Sequence, residues 1–165
     1  MKIFPRILIL IIALKALVKS CPLSRTYDLT FFITSSTNDV LTCSTRSAVY
    51  AVVSPYAISS PPVMTSIWDS TSDQNSYHCI MTKYFFVPGR PTAATIDEFT
   101  DDYVTIKIND VQVAAISTNS GCTYQLNKDV FSYIKPGLNS LYIDAQNTGG
   151  PGFFGYRLTI KTQLS

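Results

Sequence analysis

The chain has 165 residues, of which 46% are apolar, 12% are aromatic and only 15% are charged. This length suits one ordinary domain, and the composition excludes an intrinsically disordered chain because it offers ample apolar surface to bury. Four of the 13 Lys and Arg residues lie in the first twenty positions, so the rest of the chain has fewer cations than its 11 Asp and Glu residues. That balance argues against a nucleic-acid partner held by phosphate neutralisation.

Residues 1–20 have the pattern of a secretory signal peptide. A cationic start with Lys2 and Arg6 precedes an apolar run over 7–14. This run is shorter than the roughly 20 residues of a membrane-spanning helix. Lys15 interrupts the apolar region, so an uncleaved anchor and a lipid-modified Cys21 stand as alternatives to cleavage before Cys21. We expect a single mature domain over 21–165, secreted or displayed at the cell surface, with no stable membrane span once the signal is cleaved.

The four cysteines are widely spaced, and none forms the CxxC pair that is typical of zinc and redox sites. Four cysteines in an exported chain predict two disulfides. The sequence leaves all three pairings open among Cys21, Cys43, Cys79 and Cys122.

Short runs of alternating apolar and polar residues, rich in β-branched and aromatic side chains, recur after the signal segment. They predict strands at 26–34, 40–42, 48–53, 63–68, 80–87, 92–99, 103–108, 111–116, 141–146 and 153–162. One helical turn is expected over 129–137, where a Pro-Gly pair ends it.

The clearest run lies at 103–108, where Val104, Ile106 and Ile108 share one face. Asn109 and Asp110 follow as a two-residue turn, and another alternating run comes next. This order predicts a β-hairpin.

Between residues 54 and 77 the composition changes to Ser, Pro, Asp, Asn and Gln, which predicts a long loop with one short strand inside it. Sugar recognition uses an aromatic face flanked by amides and carboxylates, and these crowd together only here. The candidate ligand-binding residues are therefore Trp68, Asp69, Asp73, Asn75 and Tyr77. Packing in the core is the alternative role of Trp68. We expect binding at the loop ends, since the alternation assigns the sheet faces to core and solvent.

The densest acidic cluster is formed by Asp97, Glu98, Asp101 and Asp102. Asp101 and Asp102 are candidate Ca²⁺ ligands, although calcium takes six to eight oxygens and a solvated hairpin end is the favoured explanation of such a cluster. No other cofactor is expected. The single His78 has no identified catalytic partner, and Ser-His-Asp combinations are unavoidable in so Ser-rich a chain. We therefore expect a structural or surface histidine and no enzyme activity.

Several segments follow one another in a familiar order: 100–113 (TDDYVTIKINDVQV), 129–130 (DV), 133–139 (YIKPGLN) and 147–152 (NTGGPG). In this order the chain resembles the galactose-binding-domain-like jelly-roll modules found in glycosidases and secreted surface proteins. Trp68 and the Tyr84-Phe85-Phe86 run also resemble the early Trp and the aromatic strand of these modules. The resemblance covers roughly residues 68–161 and implies a jelly roll in which Trp68 is buried.

We therefore expect an all-β chain, a β-sandwich of the jelly-roll type, that serves as a non-enzymatic carbohydrate-binding or adhesive module. Its partner would be a glycan or another extracellular surface. The alternative is a structural subunit of an extracellular fibre or coat, in which the chain forms a homo-oligomer or polymer through its sheet edges.

Overall fold

The computed structural model describes residues 25–44, 47–56, 62, 64–69 and 76–165. The predicted signal segment, Cys21, Asp73 and Asn75 lie outside the described residues. Inside them, no helix is long and apolar enough to cross a membrane. Export and signal cleavage therefore stay predictions.

The described residues form short and long β-strands joined by turns, with one turn of 3₁₀-helix. In chain order these elements are β1 (Tyr27–Thr34), β2 (Val40–Cys43), β3 (Val49–Tyr50), β4 (Val52–Val53), β5 (Ile67–Trp68), β6 (Tyr77–Val87), β7 (Arg90–Asp101), β8 (Tyr103–Ile108), β9 (Val111–Gln112), β10 (Tyr124–Asp129), the 3₁₀ turn (Phe131–Tyr133), β11 (Gly137–Asn147) and β12 (Phe153–Leu164).

The strands pair in two antiparallel sheets. Sheet A has the order β10-β7-β12-β5-β4, and β1 also pairs with β12. Sheet B has the order β3-β2-β6-β11-β8-β9. The long strands β7 and β12 pair along most of their length, as do β6 and β11. The predicted all-β sandwich is confirmed.

The hydrophobic core takes alternate residues from both sheets. In β8, Val104, Ile106 and Ile108 are buried while the residues between them are partly or fully exposed, as the alternation predicted. Ile96 of β7 and Leu158 of β12 belong to the same buried cluster. Each fully buried aliphatic side chain of this kind stabilises the fold by about 1.5–3 kcal/mol.

The predicted β8–β9 hairpin is confirmed, and Ile108 pairs with Val111 across the turn. Asn109 and Asp110 both have positive φ, at 51° and 66°. Two such residues match the tight turn that joins antiparallel strands, and Asn and Asp tolerate this conformation better than most residues. Strand β9 ends at Gln112, so it is shorter than the predicted 111–116.

The predicted strand at 48–53 is divided between the two sheets. Strand β3 pairs with β2 in sheet B, whereas β4 pairs with β5 in sheet A. Ala51 lies between them, and its backbone N–H donates to the carbonyl of Asp39 (N–O 2.8 Å). The chain therefore crosses from one sheet to the other at Ala51, and an alternating pattern alone cannot show such a crossing.

Strand β10 was missed because its alternation is broken. The register between β10 and β7 shifts between Gln125 and Lys128, and Asn127 in this interval has a φ of 53°. A bulge of this kind places an extra residue in one strand and interrupts the period of two. The helical turn expected next is limited to Phe131–Tyr133, because β11 already begins at Gly137.

One disulfide is formed within the described residues, and it joins Cys43 to Cys79. The two cysteines lie opposite each other on β2 and β6, and both are fully buried. Cys122 has a free, exposed thiol. A second disulfide would require Cys21, which lies outside the described residues, so it stays a prediction.

Candidate functional site

A polar hollow opens at one end of sheet B, where β6 begins and β11 ends. We name it the loop-end pocket. It encloses about 300 Å³ and is lined by Ser76, Tyr77, His78, Gln146, Asn147 and Thr148. Antiparallel pairing creates this group, because Tyr77 lies opposite Asn147 and His78 lies opposite Gln146. The pocket therefore offers hydroxyl, imidazole and amide groups within one open concavity.

Tyr77 links the pocket to the predicted binding loop. Its hydroxyl donates to Oδ2 of Asp69 (2.8 Å), a carboxylate that is itself buried. The Tyr77 ring lies 6.3 Å from the Trp68 ring, centroid to centroid. Three of the predicted ligand-binding residues thus meet, and Asp69 and Trp68 together fix the orientation of the Tyr77 ring.

Trp68 itself is 0% exposed and packs edge-on against Phe154, with 6.2 Å between ring centroids. A β-carbon added at Gly152 would lie 2.7 Å from the indole, so the glycine is what allows the backbone to approach the ring this closely. A sugar cannot stack on a ring with no exposed face. The suggestion that Trp68 binds sugar is therefore wrong, and the alternative of core packing describes the residue.

His78 is held in place by a carboxylate on the neighbouring strand. Its Nδ1 lies 3.1 Å from Oδ1 of Asp144 on β11. The imidazole side chain remains 45% exposed. Ser44 fastens the backbone of the same residue, since the His78 N–H donates to Oγ of Ser44 (3.1 Å).

The far wall of the pocket is tied to the acidic cluster. Thr148 donates to Oδ2 of Asp102 from its backbone N–H (2.8 Å) and from its hydroxyl (2.5 Å). Burial alone would raise the pKa of Asp102, but these hydrogen bonds lower it overall. Asp102 is therefore a carboxylate that positions Thr148.

Asp101, Asp102 and the Cys122 thiol come together, with ligand atoms within 4.8 Å of one another. The Cys122 Sγ lies 2.6 Å from Oδ1 of Asp101 as a hydrogen-bond donor. Burial and the Asp101 carboxylate raise the pKa of this thiol to about 12. Two carboxylates already occupied by protein donors, beside a protonated thiol, fit calcium poorly, because calcium takes six to eight oxygen ligands.

The rest of the acidic cluster is buried structure. Gln125 of β10 donates from Nε2 to Oε1 of Glu98 (2.6 Å), and the Thr100 hydroxyl donates to Oε2 (2.9 Å). Asp97 accepts from Nη2 of Arg157 (3.2 Å) and from the N–H of Asn127 (2.7 Å). The bonds from Gln125 and Asn127 fasten β10 to β7, and the Arg157 ion pair joins β12 to β7, so this half of the cluster stabilises the sheet.

Burial raises the pKa of Glu98 from 4.5 to about 7, although the bonds from Thr100 and Gln125 act in the opposite direction. Between these two pH values the folded chain holds a proton that the unfolded chain has lost. We therefore expect the free energy of unfolding to fall by about 3 kcal/mol as the pH rises from 4.5 to 7. The Glu98→Gln variant should lack this fall, and urea unfolding at several pH values compares the two. If the unfolding free energies of the parent and Glu98→Gln changed with pH in parallel, the raised pKa of Glu98 would be contradicted.

Sequence reasoning identified Tyr77 and Asp69 but missed the side chains of His78, Gln146 and Thr148 as a group. These residues are about 70 positions apart in the chain. They come together only because β6 pairs with β11, and no local sequence pattern predicts which residues of two strands will lie opposite each other. Asp73 and Asn75 lie outside the described residues, so their role in binding stays a prediction.

No protein-family model matches the sequence, and comparison with curated proteins finds no relative. Among solved structures, the chain is similar to the FMN-binding beta-glucuronidase from Facaelibacterium prausnitzii L2-6. The two share 14% identity with a TM-score of 0.47, over 79% of this chain and 23% of that enzyme. The chain thus spans about a quarter of the enzyme's length, and nothing about function is taken from this likeness.

Proposed function

We propose that this protein is a secreted or surface-exposed, non-enzymatic module that binds carbohydrate or adheres to a glycan-bearing surface through the loop-end pocket. The observation that carries the proposal is the lining of the pocket, which combines hydroxyl, amide and imidazole groups around an open hollow of about 300 Å³. Sugar hydroxyls each donate and accept hydrogen bonds, so they need mixed donors and acceptors of this kind.

Pre-positioned side chains support the same conclusion. Tyr77 is fixed through Asp69, His78 through Asp144 and Thr148 through Asp102. Side chains that are already ordered lose less conformational entropy when a ligand binds. Gln146 is the exposed exception, and its amide can offer a carbonyl and an NH₂ group to adjacent hydroxyls of one sugar ring.

The fold and the cysteine chemistry also favour this function. An all-β sandwich with the motif order described above agrees with a galactose-binding-domain-like jelly roll, which we propose as the finer fold type. A buried structural disulfide between Cys43 and Cys79 is typical of proteins that fold in an oxidising compartment. Together with the signal-like segment at 1–20, this supports an extracellular location.

Catalysis is disfavoured by what surrounds His78. The His78–Asp144 pair supplies two parts of a Ser-His-Asp arrangement, but no described hydroxyl hydrogen-bonds to the second ring nitrogen of His78. A nucleophile must lie within hydrogen-bond reach of its base. We therefore propose binding without turnover.

A glycan array, run with and without Ca²⁺, tests the proposal and supplies a ligand for quantitative work. Gln146→Ala should weaken that ligand about three- to tenfold, since a hydrogen bond to an uncharged group contributes roughly 0.5–1.5 kcal/mol. The matched control is Gln112→Ala, which removes an equally exposed glutamine from the edge strand β9 and should leave the affinity unchanged. Calorimetric titration measures both. No retained glycan at millimolar concentration, or equal effects of the two variants, would contradict the proposal.

A structural subunit is the second candidate, and the exposure of β1 favours it. This strand pairs with β12, no other described strand pairs with it, and its first four residues are exposed. A long edge strand with free backbone groups is a template for pairing with another chain. Sedimentation across a range of concentrations discriminates the two functions: a monomer that binds glycan supports the module, and concentration-dependent polymers support the subunit.

A further inference from the structure

The outer face of sheet B carries large apolar side chains where alternation predicts polar ones. Tyr84 is 70% exposed, and Phe86 and Leu138 are exposed to a similar degree. Tyr84 and Phe86 lie two residues apart on β6 and therefore point to the same face, and Leu138 lies opposite Phe86 on β11. Strand β2 pairs with β6 only as far as Met81, and β8 pairs with β11 only from Leu141, so these side chains lie on the outward face of a two-stranded β6–β11 extension of the sheet.

A second hollow adjoins the Tyr84 ring, and we name it the Tyr84 pocket. It encloses about 190 Å³ and is lined by Tyr84, Asn109, Asp110, Lys135, Leu138, Asn139 and Ser140. This is smaller than the 300–1,000 Å³ that is usual for drug-sized ligands, so its volume suits one small ring. It lies on the sheet face, with none of its lining residues shared with the loop-end pocket.

Two asparagines build a rigid rim around this hollow. Asn109 at the hairpin tip donates from Nδ2 to Oδ1 of Asn139 (2.8 Å), and its own Oδ1 accepts from the N–H of Ser140 (3.1 Å). Asn139 in turn bonds both the N–H and the carbonyl of Lys135 (3.0 and 2.8 Å). The β8–β9 turn and the segment before β11 are thereby locked together.

Two charged side chains lie on the rim of this hollow. Asp110 and Lys135 are exposed, and within the described residues neither side chain makes a hydrogen bond or an ion pair. Asn139 fixes the backbone of Lys135, and Asp110 follows the bonded Asn109 in the hairpin turn, so a carboxylate and an ammonium lie beside an exposed tyrosine ring. A pyranose presents an apolar C–H face to a ring and hydroxyls to charged groups, which matches this set.

We propose that the Tyr84 pocket is a second carbohydrate site, which takes one neutral pyranose unit stacked on Tyr84 with its hydroxyls bonded to Asp110 and Lys135. The inference rests on the proposed carbohydrate-binding function. It adds a second site, which lies on the outward face of sheet B and not at the loop ends. A protein partner fits less well, because the centres of protein interfaces are depleted of unpaired charges. The Asp110 carboxylate also disfavours a phosphate or another anion.

The test uses isotope-labelled full-length domain, titrated with the methyl pyranosides of glucose, galactose, mannose and N-acetylglucosamine while NMR shifts are followed. With the pyranoside that binds, we expect shifts at Tyr84, Lys135 and Leu138, and about a tenfold weaker Kd for Tyr84→Ala. Tyr50→Ala is the matched control: it removes a tyrosine that is 71% exposed on the edge strand β3, and Kd should change less than about twofold.

Asp110→Asn provides a second variant that preserves the turn, because asparagine also tolerates the positive φ at this position. It should weaken binding while the melting temperature stays unchanged. Equal Kd values for Tyr84→Ala and the parent would overturn the inference. So would sugar shifts confined to Gln146 and His78, an outcome that leaves the proposed function standing.

Failure of every pyranoside to bind anywhere would overturn the inference and the proposed function together. Shifts at Tyr84 and Phe86 that depend on protein concentration without sugar would show instead that a second copy of the chain covers this face, and the inference would be overturned.

Discussion

A variant in which Cys43 and Cys79 are both replaced by alanine is expected to unfold with a free energy about 4 kcal/mol below that of the parent. The disulfide closes a loop of 36 residues, and the chain-entropy relation gives this figure for that separation. Among its described residues the loop contains the short strands β3, β4 and β5, of two residues each. The cross-link limits the freedom of this segment in the unfolded chain.

Denaturant unfolding under oxidising conditions measures this effect. The matched control is Cys122→Ala, made like the other variant in a Cys21→Ala parent so that the predicted second disulfide is absent from all of them. We expect that control to change the unfolding free energy by no more than about 1 kcal/mol, the size of one lost hydrogen bond to Asp101. Equal losses of unfolding free energy in the two variants would show that the Cys43–Cys79 disulfide does not stabilise the fold more than one hydrogen bond does.

The disulfide was foreseen only in part from the sequence. Four dispersed cysteines in an exported chain predicted cross-links, but the pairing of Cys43 with Cys79 depends on β2 lying beside β6. The local sequence of neither strand predicts that β2 pairs with β6. The same reason explains why the loop-end pocket was found through Tyr77 alone, since its other wall comes from β11.

Alternation predicted the strands well wherever each second residue enters the core, as in β8. It was misleading in β6, where Lys83 lies on the inward side with Met81 and Phe85, while Tyr84 and Phe86 point outward. A lysine is accepted on the inner face only because a distant residue pairs with it. That partner is Asp39, 44 positions away, which a local pattern cannot reveal.

Lys83 of β6 and Asp39, the residue before β2, form an ion pair on sheet B, and hydrogen bonds join this pair to Thr34 and Tyr156 of sheet A. Lys83 Nζ lies 2.6 Å from Oδ1 of Asp39 and also donates to the Thr34 carbonyl (3.0 Å) and the Tyr156 hydroxyl (3.2 Å). The Tyr156 hydroxyl donates to the other oxygen of Asp39 (3.0 Å). Burial, followed by the Asp39 charge, raises the pKa of Tyr156, so this hydroxyl stays protonated as a donor.

Lys83→Met is expected to lower the free energy of unfolding by about 3–5 kcal/mol, because it leaves the Asp39 carboxylate, only 2% exposed, without its counter-charge. Adding Asp39→Asn should restore part of this loss, since the buried charge is then gone, whereas two independent residues would give additive losses. Lys161→Met, which removes an exposed lysine from β12, is the matched control and should change stability by less than about 0.5 kcal/mol. Urea unfolding of Lys83→Met, Asp39→Asn, the double variant and Lys161→Met measures these effects. Additive losses, or a Lys83→Met variant as stable as Lys161→Met, would show that the ion pair does not stabilise the fold.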